Sequence, residues 1–363
     1  MAQQASQLAG ILTALVAFPT ESRQKSVSEE CLKHIAGALA AHGLKSELHN
    51  SNGFPSLVAA TKDIKKPKVL LQAHMDVVPA DKHLYSMQEQ EGRLVGRGVY
   101  DMKFAAACYL RLVEDLKDSL DKYDFGIMLT TDEELGGHDG AEYLIKQGYG
   151  AGVCILPDGG NDWCIETGSN AVWMIKVGAE GKSAHGSRPW EGDNAIDRLM
   201  SCLTEIRDCF GKLETGHCSV TISQIQGGEA INQVPGSAWA TIDMRFINND
   251  HADHKRQEVE AIISKAGLSF ETKADEAAPD IDISVEPIAR FMAVAEKVRG
   301  EKLGTCRSLG SSDARFFTAA GVPAIVVRPQ GGAAHSEDEW IDKADLMEFY
   351  KVLRAYIEDY AKA

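Results

Sequence analysis

Val69-Leu70-Leu71-Gln72-Ala73-His74-Met75-Asp76-Val77-Val78-Pro79 is an apolar run that carries one imidazole and one carboxylate two residues apart and stops at a proline. Read as a strand, it sets alternate side chains on one face. His74 and Asp76 then point the same way at its C-terminal end. A carboxylate among apolar neighbours is costly unless a cation compensates it. A metal held by His74, with Asp76 fixing the imidazole's tautomer from behind, accounts for the pair. A core histidine bonded to a nearby backbone carbonyl is the alternative, and the surrounding chain has to decide between them.

Outward from this strand, helix and strand patterns alternate. Helical periodicity covers residues 5–18 and 29–41, the second ending at His42-Gly43 as helix C-termini do. Short strands are expected at 45–49 and 56–60. Beyond Pro79 a polar loop leads through Gly96-Arg97-Gly98 to Asp101, just ahead of a helix over 104–116. A carboxylate in that position can also cap the helix. A buried strand over 124–131 runs straight into Asp132-Glu133-Glu134, acids that repel one another unless positive charge sits among them. After a helix at 140–147, the apolar strand 152–156 ends at Pro157-Asp158. Strand after strand delivers His or acid at its C-terminal end, which is where open α/β sheets build their sites. The alternation predicts an α/β fold with a mainly parallel, helix-covered sheet.

The patterning changes at residue 171. Alternating, half-exposed strands at 172–177, 219–225 and 238–246, a strand at 269–273, and helices at 195–210 and 254–265 give the β-α-β-β-α-β order of a ferredoxin-like α+β domain. We therefore expect an inserted domain at 171–284, with the acidic, proline-bearing stretch 275–287 as the return linker. Residues 1–170 and 285–363 form the main domain, which closes with a strand at 324–327, the loop Gly331-Gly332-Ala333-Ala334-His335-Ser336-Glu337 and a helix at 343–360.

Composition narrows the function. A chain of 363 residues is long for one core. A net charge of −15 argues against nucleic acid and against an anionic membrane surface as partners. No apolar run approaches the roughly 20 residues of a membrane span. The apolar stretch 8–18 has no basic residue before it and reads as a buried helix rather than a signal peptide. Eight cysteines are scattered without a CxxC pair, which points to reduced thiols and a cytoplasmic location.

Taken in order, HMDVVP (74–79), GRGVYDMK (96–103), TTDEELGG (130–137), LPDGG (156–160), HGSRPWEG (185–192), NQVP (232–235) with the following DMR (243–245), SSDARFF (311–317) and GGAAHS (331–336) resemble the M20 peptidase family. That family includes aminoacylases, succinyl-diaminopimelate desuccinylases, carnosinase-like dipeptidases and glutamate carboxypeptidases. The resemblance implies a zinc-exopeptidase-like main domain with two zinc ions and an inserted lid. By it, His74 and Asp158 hold one zinc, Glu134 and His335 the other, and Asp101 bridges both. Such a nitrogen and oxygen set suits zinc, with cobalt or manganese as substitutes, and paired ions of this kind sit about 3.5–4 Å apart. Family members often carry a cis peptide after the bridging aspartate, here Asp101-Met102.

The resemblance also assigns roles. Glu133 is the general base that takes a proton from the attacking water and delivers it to the leaving amine, with Asp76 orienting His74. His185 donates to the oxygen that gains charge in the tetrahedral intermediate, in its own site or in a partner's. Asn232, Arg245 and Arg315 fall in motifs the family uses around the substrate carboxylate, where a guanidinium fork makes two hydrogen bonds; for Arg245 an ordinary strand residue is the alternative. Lys103, Lys182 and the pair Arg93 and Arg97 are read as solvated surface or local structure. Asp158 looks like the peptidase branch, since many deacylases have Glu there, whereas Ser312-Asp313-Ala314-Arg315 is similar to the desuccinylase motif. The expected protein is a hydrolase that cleaves a dipeptide or a terminal residue of a small peptide, and a homodimer through its inserted domain. The alternatives are an N-acyl amino acid deacylase of desuccinylase or deacetylase type and, in another class, an inactive binding module on the same fold.

Overall fold

The computed structural model of the chain describes residues 2–212 and 217–363 and divides into two compact units. One takes the described residues up to Thr167 with Asp280–Ser308 and Ser312–Ala363; the other takes Gly168–Pro279 and Leu309–Ser311. Each has its own buried core.

The first unit opens with α1 (Ala2–Val16), α2 (Lys25–Ala41), β1 (Ser46–Ser51), β2 (Phe54–Ala60) and β3 (Val69–His74). Short strands β4 (Gln88–Gln90) and β5 (Arg93–Val95) precede α3 (Lys103–Leu116), β6 (Phe125–Thr130), α4 (Ala141–Lys146), β7 (Val153–Ile155) and β8 (Cys164–Ser169). The second unit contains β9 (Ala171–Glu180), β10 (Ala184–His185), α5 (Ala195–Cys209), β11 (Ser219–Gly227), β12 (Gln233–Val234), β13 (Ser237–Phe246), α6 (Asn249–Lys265) and β14 (Ser269–Glu276). The chain then returns with α7 (Glu286–Arg299), β15 (Gly304–Ser308), α8 (Ala314–Ala319), β16 (Ala324–Ile325), β17 (Gly331–Gly332), β18 (Trp340–Asp342) and α9 (Lys343–Tyr360).

The main sheet is six-stranded in the order β1-β2-β6-β3-β7-β16. β3 runs parallel to both β6 and β7, and β16 parallel to β7, while β1 and β2 form an antiparallel edge. Every residue of β3 and β6 is buried, because helices cover both faces of a parallel sheet and leave no reason for alternation. The fold class is therefore α/β with a mostly parallel sheet. All but two residues of α3 are buried, and the helix packs on α1 and β3.

Lys103, at the start of α3, is not solvated. It is wholly buried, and its Nζ donates to the carbonyls of Leu15 (3.2 Å) and Phe18 (2.7 Å). The end of α1 leaves carbonyls without helical donors and favours a cation, and Lys103 supplies both. Burial lowers its ammonium to about 8.

The second unit carries a four-stranded antiparallel sheet in the order β11-β13-β9-β14, packed on α5 and α6 in β-α-β-β-α-β chain order. The α6 helix begins earlier than periodicity indicates, at Asn249, because the Asn248 side chain accepts from the His251 amide. Part of the expected linker is strand, since β14 continues to Glu276. Among the described residues no helix is long and apolar enough to cross a membrane.

Candidate metal centre

Parallel pairing brings the C-terminal ends of β3, β6 and β7 to one edge of the sheet. His74 is the last residue of β3. Glu133 and Glu134 form a single 3₁₀ turn just past β6, and Asp158 follows β7. Asp101 arrives in the loop before α3, and His335 in the loop after β17, held at a positive φ of 66°. Potential ligand atoms of His74, Glu133 and Asp158 all lie within 4.8 Å of one another, and so do those of Asp101, Glu134 and His335.

Asp101 ties the two groups together. Its Oδ1 lies 3.3 Å from His74 Nε2 and its Oδ2 lies 3.2 Å from His335 Nε2. Asp158 Oδ1 is 3.9 Å from His74 Nε2, and Glu134 Oε1 is 3.0 Å from His335 Nε2. The Asp101-Met102 peptide is cis.

The electrostatics show what the cluster lacks. Burial, then the charge of Asp158, hold the Glu133 carboxyl well above the usual range. Burial and Asp101 push Asp158 up to about 7. Burial pulls the His74 imidazole down, but hydrogen bonds to Asp101 and Asp76 outweigh it and hold it well above its ordinary value. His335 is pushed up to about 10 by its bonds to Asp101 and Glu134. Desolvation opposes ionisation of Asp101, yet bonds from His335 and His74 keep its carboxyl well below the normal range. Imidazoles that hold protons and acids that resist losing them both signal a shortage of positive charge. Four carboxylates and two imidazole nitrogens of this kind fit divalent cations.

The supports are as specific as the cluster. His74 Nδ1 is 3.0 Å from the Asp76 main-chain oxygen and 3.5 Å from its Oδ1, so the backbone carbonyl is the nearer partner. The Asp76 carboxylate, fully buried, accepts from Ser22 Oγ (3.0 Å) and from the amides of Glu133 (3.2 Å) and Glu134 (3.1 Å). One acid therefore holds both the first imidazole and the turn bearing both glutamates.

Glu339 does the same for Asp101, and sequence reasoning missed it. Its buried carboxylate accepts from Arg97 Nη1 (2.6 Å) and from the amides of Gly98, Tyr100 and Asp101 at 3.0–3.1 Å. Arg97, read as surface or local structure, is buried in this pair. Asp313 was quoted only as part of a motif. It is buried, accepts from Gln72 Nε2 at 3.2 Å, and is pushed up to about 8 chiefly by burial.

The expected substrate residues occupy other settings. Arg315 is buried in the first unit and donates to the carbonyls of Ser312 (2.9 Å) and Gly136 (2.7 Å), staying the loop beyond Glu134. Arg245, on β13, makes a two-pronged pair with Asp243 at 2.7 and 2.9 Å. Exposed Asn232 accepts from the Gly186 amide through its main-chain oxygen at 2.7 Å. His185 ends β10, exposed, with Nδ1 2.8 Å from Ser187 Oγ. These last three belong to the second unit.

Comparison with known proteins follows the same lines. The sequence profile of peptidase family M20/M25/M40 matches residues 70–359. The chain is 27% identical over 366 residues to the succinyl-diaminopimelate desuccinylase of Rickettsia akari, covering 90% of this chain and 94% of that one. In fold it is similar to a tripeptidase from Staphylococcus aureus subsp. aureus Mu50 (TM-score 0.83, 20% identity, 98% of each chain). It is also similar to the M20 family metallo-carboxypeptidase Sso-CP2 from Sulfolobus solfataricus (TM-score 0.82, 17% identity, 98% of this chain and 99% of that one). With that profile spanning most of its length, the chain is an M20-type hydrolase and belongs to peptidase family M20/M25/M40.

Proposed function

We propose that the protein is a dinuclear-zinc hydrolase that cleaves the amide bond of a dipeptide or of a terminal residue in a small peptide. One observation carries this reading: Asp101 turns one carboxylate oxygen to His74 and the other to His335, so two donor groups share a single acid. His74 and Asp158 would hold one ion, Glu134 and His335 the other, and Asp101 both; cobalt or manganese could replace zinc. When bound, such ions polarise the amide carbonyl and make water acidic enough to attack near neutral pH.

The chain's own residues do the rest. Glu133, desolvated and raised, accepts a proton from the attacking water and passes it to the departing amine. Asp76 keeps Glu133 and Glu134 in register through their amides. His185 would donate to the oxygen that gains charge, within one subunit or across a homodimer, with the second unit as lid and dimerisation domain. Asn232, Arg245 and Arg315 would surround the substrate carboxylate, which requires Arg245 to exchange its present partner.

A second reading, removal of an acyl group from an N-acyl amino acid, is favoured by the name of the Rickettsia akari relative. A panel of dipeptides, N-acetyl and N-succinyl amino acids separates the two. The expected result is fastest turnover on dipeptides, lost on chelation and restored by zinc. Faster turnover of acyl substrates would transfer the assignment to the second reading. Retention of activity after complete metal removal would discard both.

A further inference from the structure

We propose that Cys164 and Cys306 form a reversible disulfide, a modification site separate from the metal centre and independent of the function proposed above. All eight cysteines are free thiols in the structure. Cys31, Cys108, Cys154 and Cys202 are buried, whereas, like Cys209 and Cys218, Cys164 and Cys306 are partly exposed.

The two lie on β8 and β15, which pair as a two-stranded sheet. Cys306 Sγ sits 3.6 Å from the Cys164 carbonyl oxygen and 3.9 Å from that of Ile165. Gly304 precedes Cys306 by two positions and so shares its face of β15. A Cβ on Gly304 would lie 3.7 Å from Cys164 Sγ, which places the Cys164 sulfur over that same face. Because residue 304 is glycine, no side chain from that position covers the Cys164 sulfur. Thr167 Oγ1 donates to the Cys306 carbonyl at 3.0 Å and fixes the strands against sliding. Burial, followed by the neighbouring Cys164 thiol, pushes the Cys306 thiol up to about 12.

The chemistry needs an external oxidant, and a low-molecular-weight disulfide such as oxidised glutathione provides it. The Cys164 thiolate attacks one sulfur of the reagent, whose S–S bond breaks and releases one thiolate that takes up a proton. Cys306, held protonated until then, gives its proton to solvent and attacks the Cys164 sulfur, expelling the second reagent thiol. The two protein thiols are oxidised by two electrons and the reagent is reduced to two thiols. The resulting covalent ring spans positions 142 apart and encloses all of Gly168–Pro279. It closes on the strand in which the chain passes from the first unit to the second, since Thr167 and Gly168 are consecutive residues of β8.

The test equilibrates the full chain in glutathione buffers of increasing oxidised fraction, traps free thiols with iodoacetamide, and maps peptides by mass spectrometry. The expected product is a Cys164–Cys306 peptide pair lighter by two hydrogens, restored by dithiothreitol. Cys306→Ser should stop at a glutathione adduct on Cys164, and Cys164→Ser should leave Cys306 free. Wild-type protein in which both cysteines are recovered alkylated, or as separate glutathione adducts, at every buffer ratio would overturn the proposal.

Discussion

At the scale of single residues, the groups at the candidate metal centre divide into six that face one another and others that hold the facing groups still. Glu133 belongs to the first kind. Glu133→Ala should leave the metal content by elemental analysis unchanged while turnover falls by about 10²–10⁴-fold; equal loss of metal and turnover would make it a ligand instead. Glu339 belongs to the second. Glu339→Gln weakens the acceptor for Arg97 and three amides around Asp101, and we expect metal affinity to drop by about 10–100-fold, read by competition with a chromogenic chelator. Burial raises the Glu166 carboxyl to about 7 from 4.5, where Oε1 accepts from the Gly160 amide. Between those values the folded chain keeps a proton that the unfolded chain has released, so stability falls as pH rises through this window and levels off above it. Glu166→Gln, which can keep the amide bond, should flatten that slope in urea midpoints measured between about pH 5 and pH 8. Glu133, Glu134 and Asp158 were legible because each follows an apolar strand, and Asp101 only through its motif GRGVYDMK. Glu339 was not: it ends the acidic run Glu337-Asp338-Glu339, whose first two members are exposed, and nothing in sequence spacing separates a buried acid from its solvated neighbours.

At the scale of elements, long periodic segments were legible and short ones were not. β3 and β6 are mostly apolar and buried throughout, and α3 is an Ala-rich helix, so pattern and burial agree. The four-stranded sheet β17-β18-β5-β4 is built from strands of two or three residues, too short to show a period. Helix α8 is six residues that begin inside SSDARFF, where the polar start masks it. The turn from β7 to β8 makes a stricter demand. Gly160 has φ 64°, and a Cβ there would meet the Cys164 oxygen at 2.3 Å, the Val326 oxygen at 2.6 Å and Val327 Cα at 2.7 Å. All three are backbone atoms that cannot swing aside, so Gly160→Ala should cost at least roughly 1–3 kcal/mol in chemical denaturation and should disturb Asp158 two residues earlier.

For the whole molecule, the first unit gathers its donor groups from both sides of the inserted segment: His74 to Asp158 lie before it and His335 after it. A bound ion would therefore stabilise the folded chain against unfolding by mass action, about 2.7 kcal/mol for free metal at a hundredfold excess over its dissociation constant. Chelation should lower the thermal midpoint by several degrees in calorimetry, and stoichiometric zinc should restore it. An unchanged midpoint would mean that no ion joins these segments. The same arrangement sets a timetable for synthesis on the ribosome. When α7 has just been translated, the nascent chain already holds one imidazole and four acids of the cluster, but β16, His335 and Glu339 have yet to be made. Capture of the second proposed ion, the one assigned to Glu134 and His335, must then wait for the closing stretch of the polypeptide, and a truncated product would leave that half of the cluster without its imidazole.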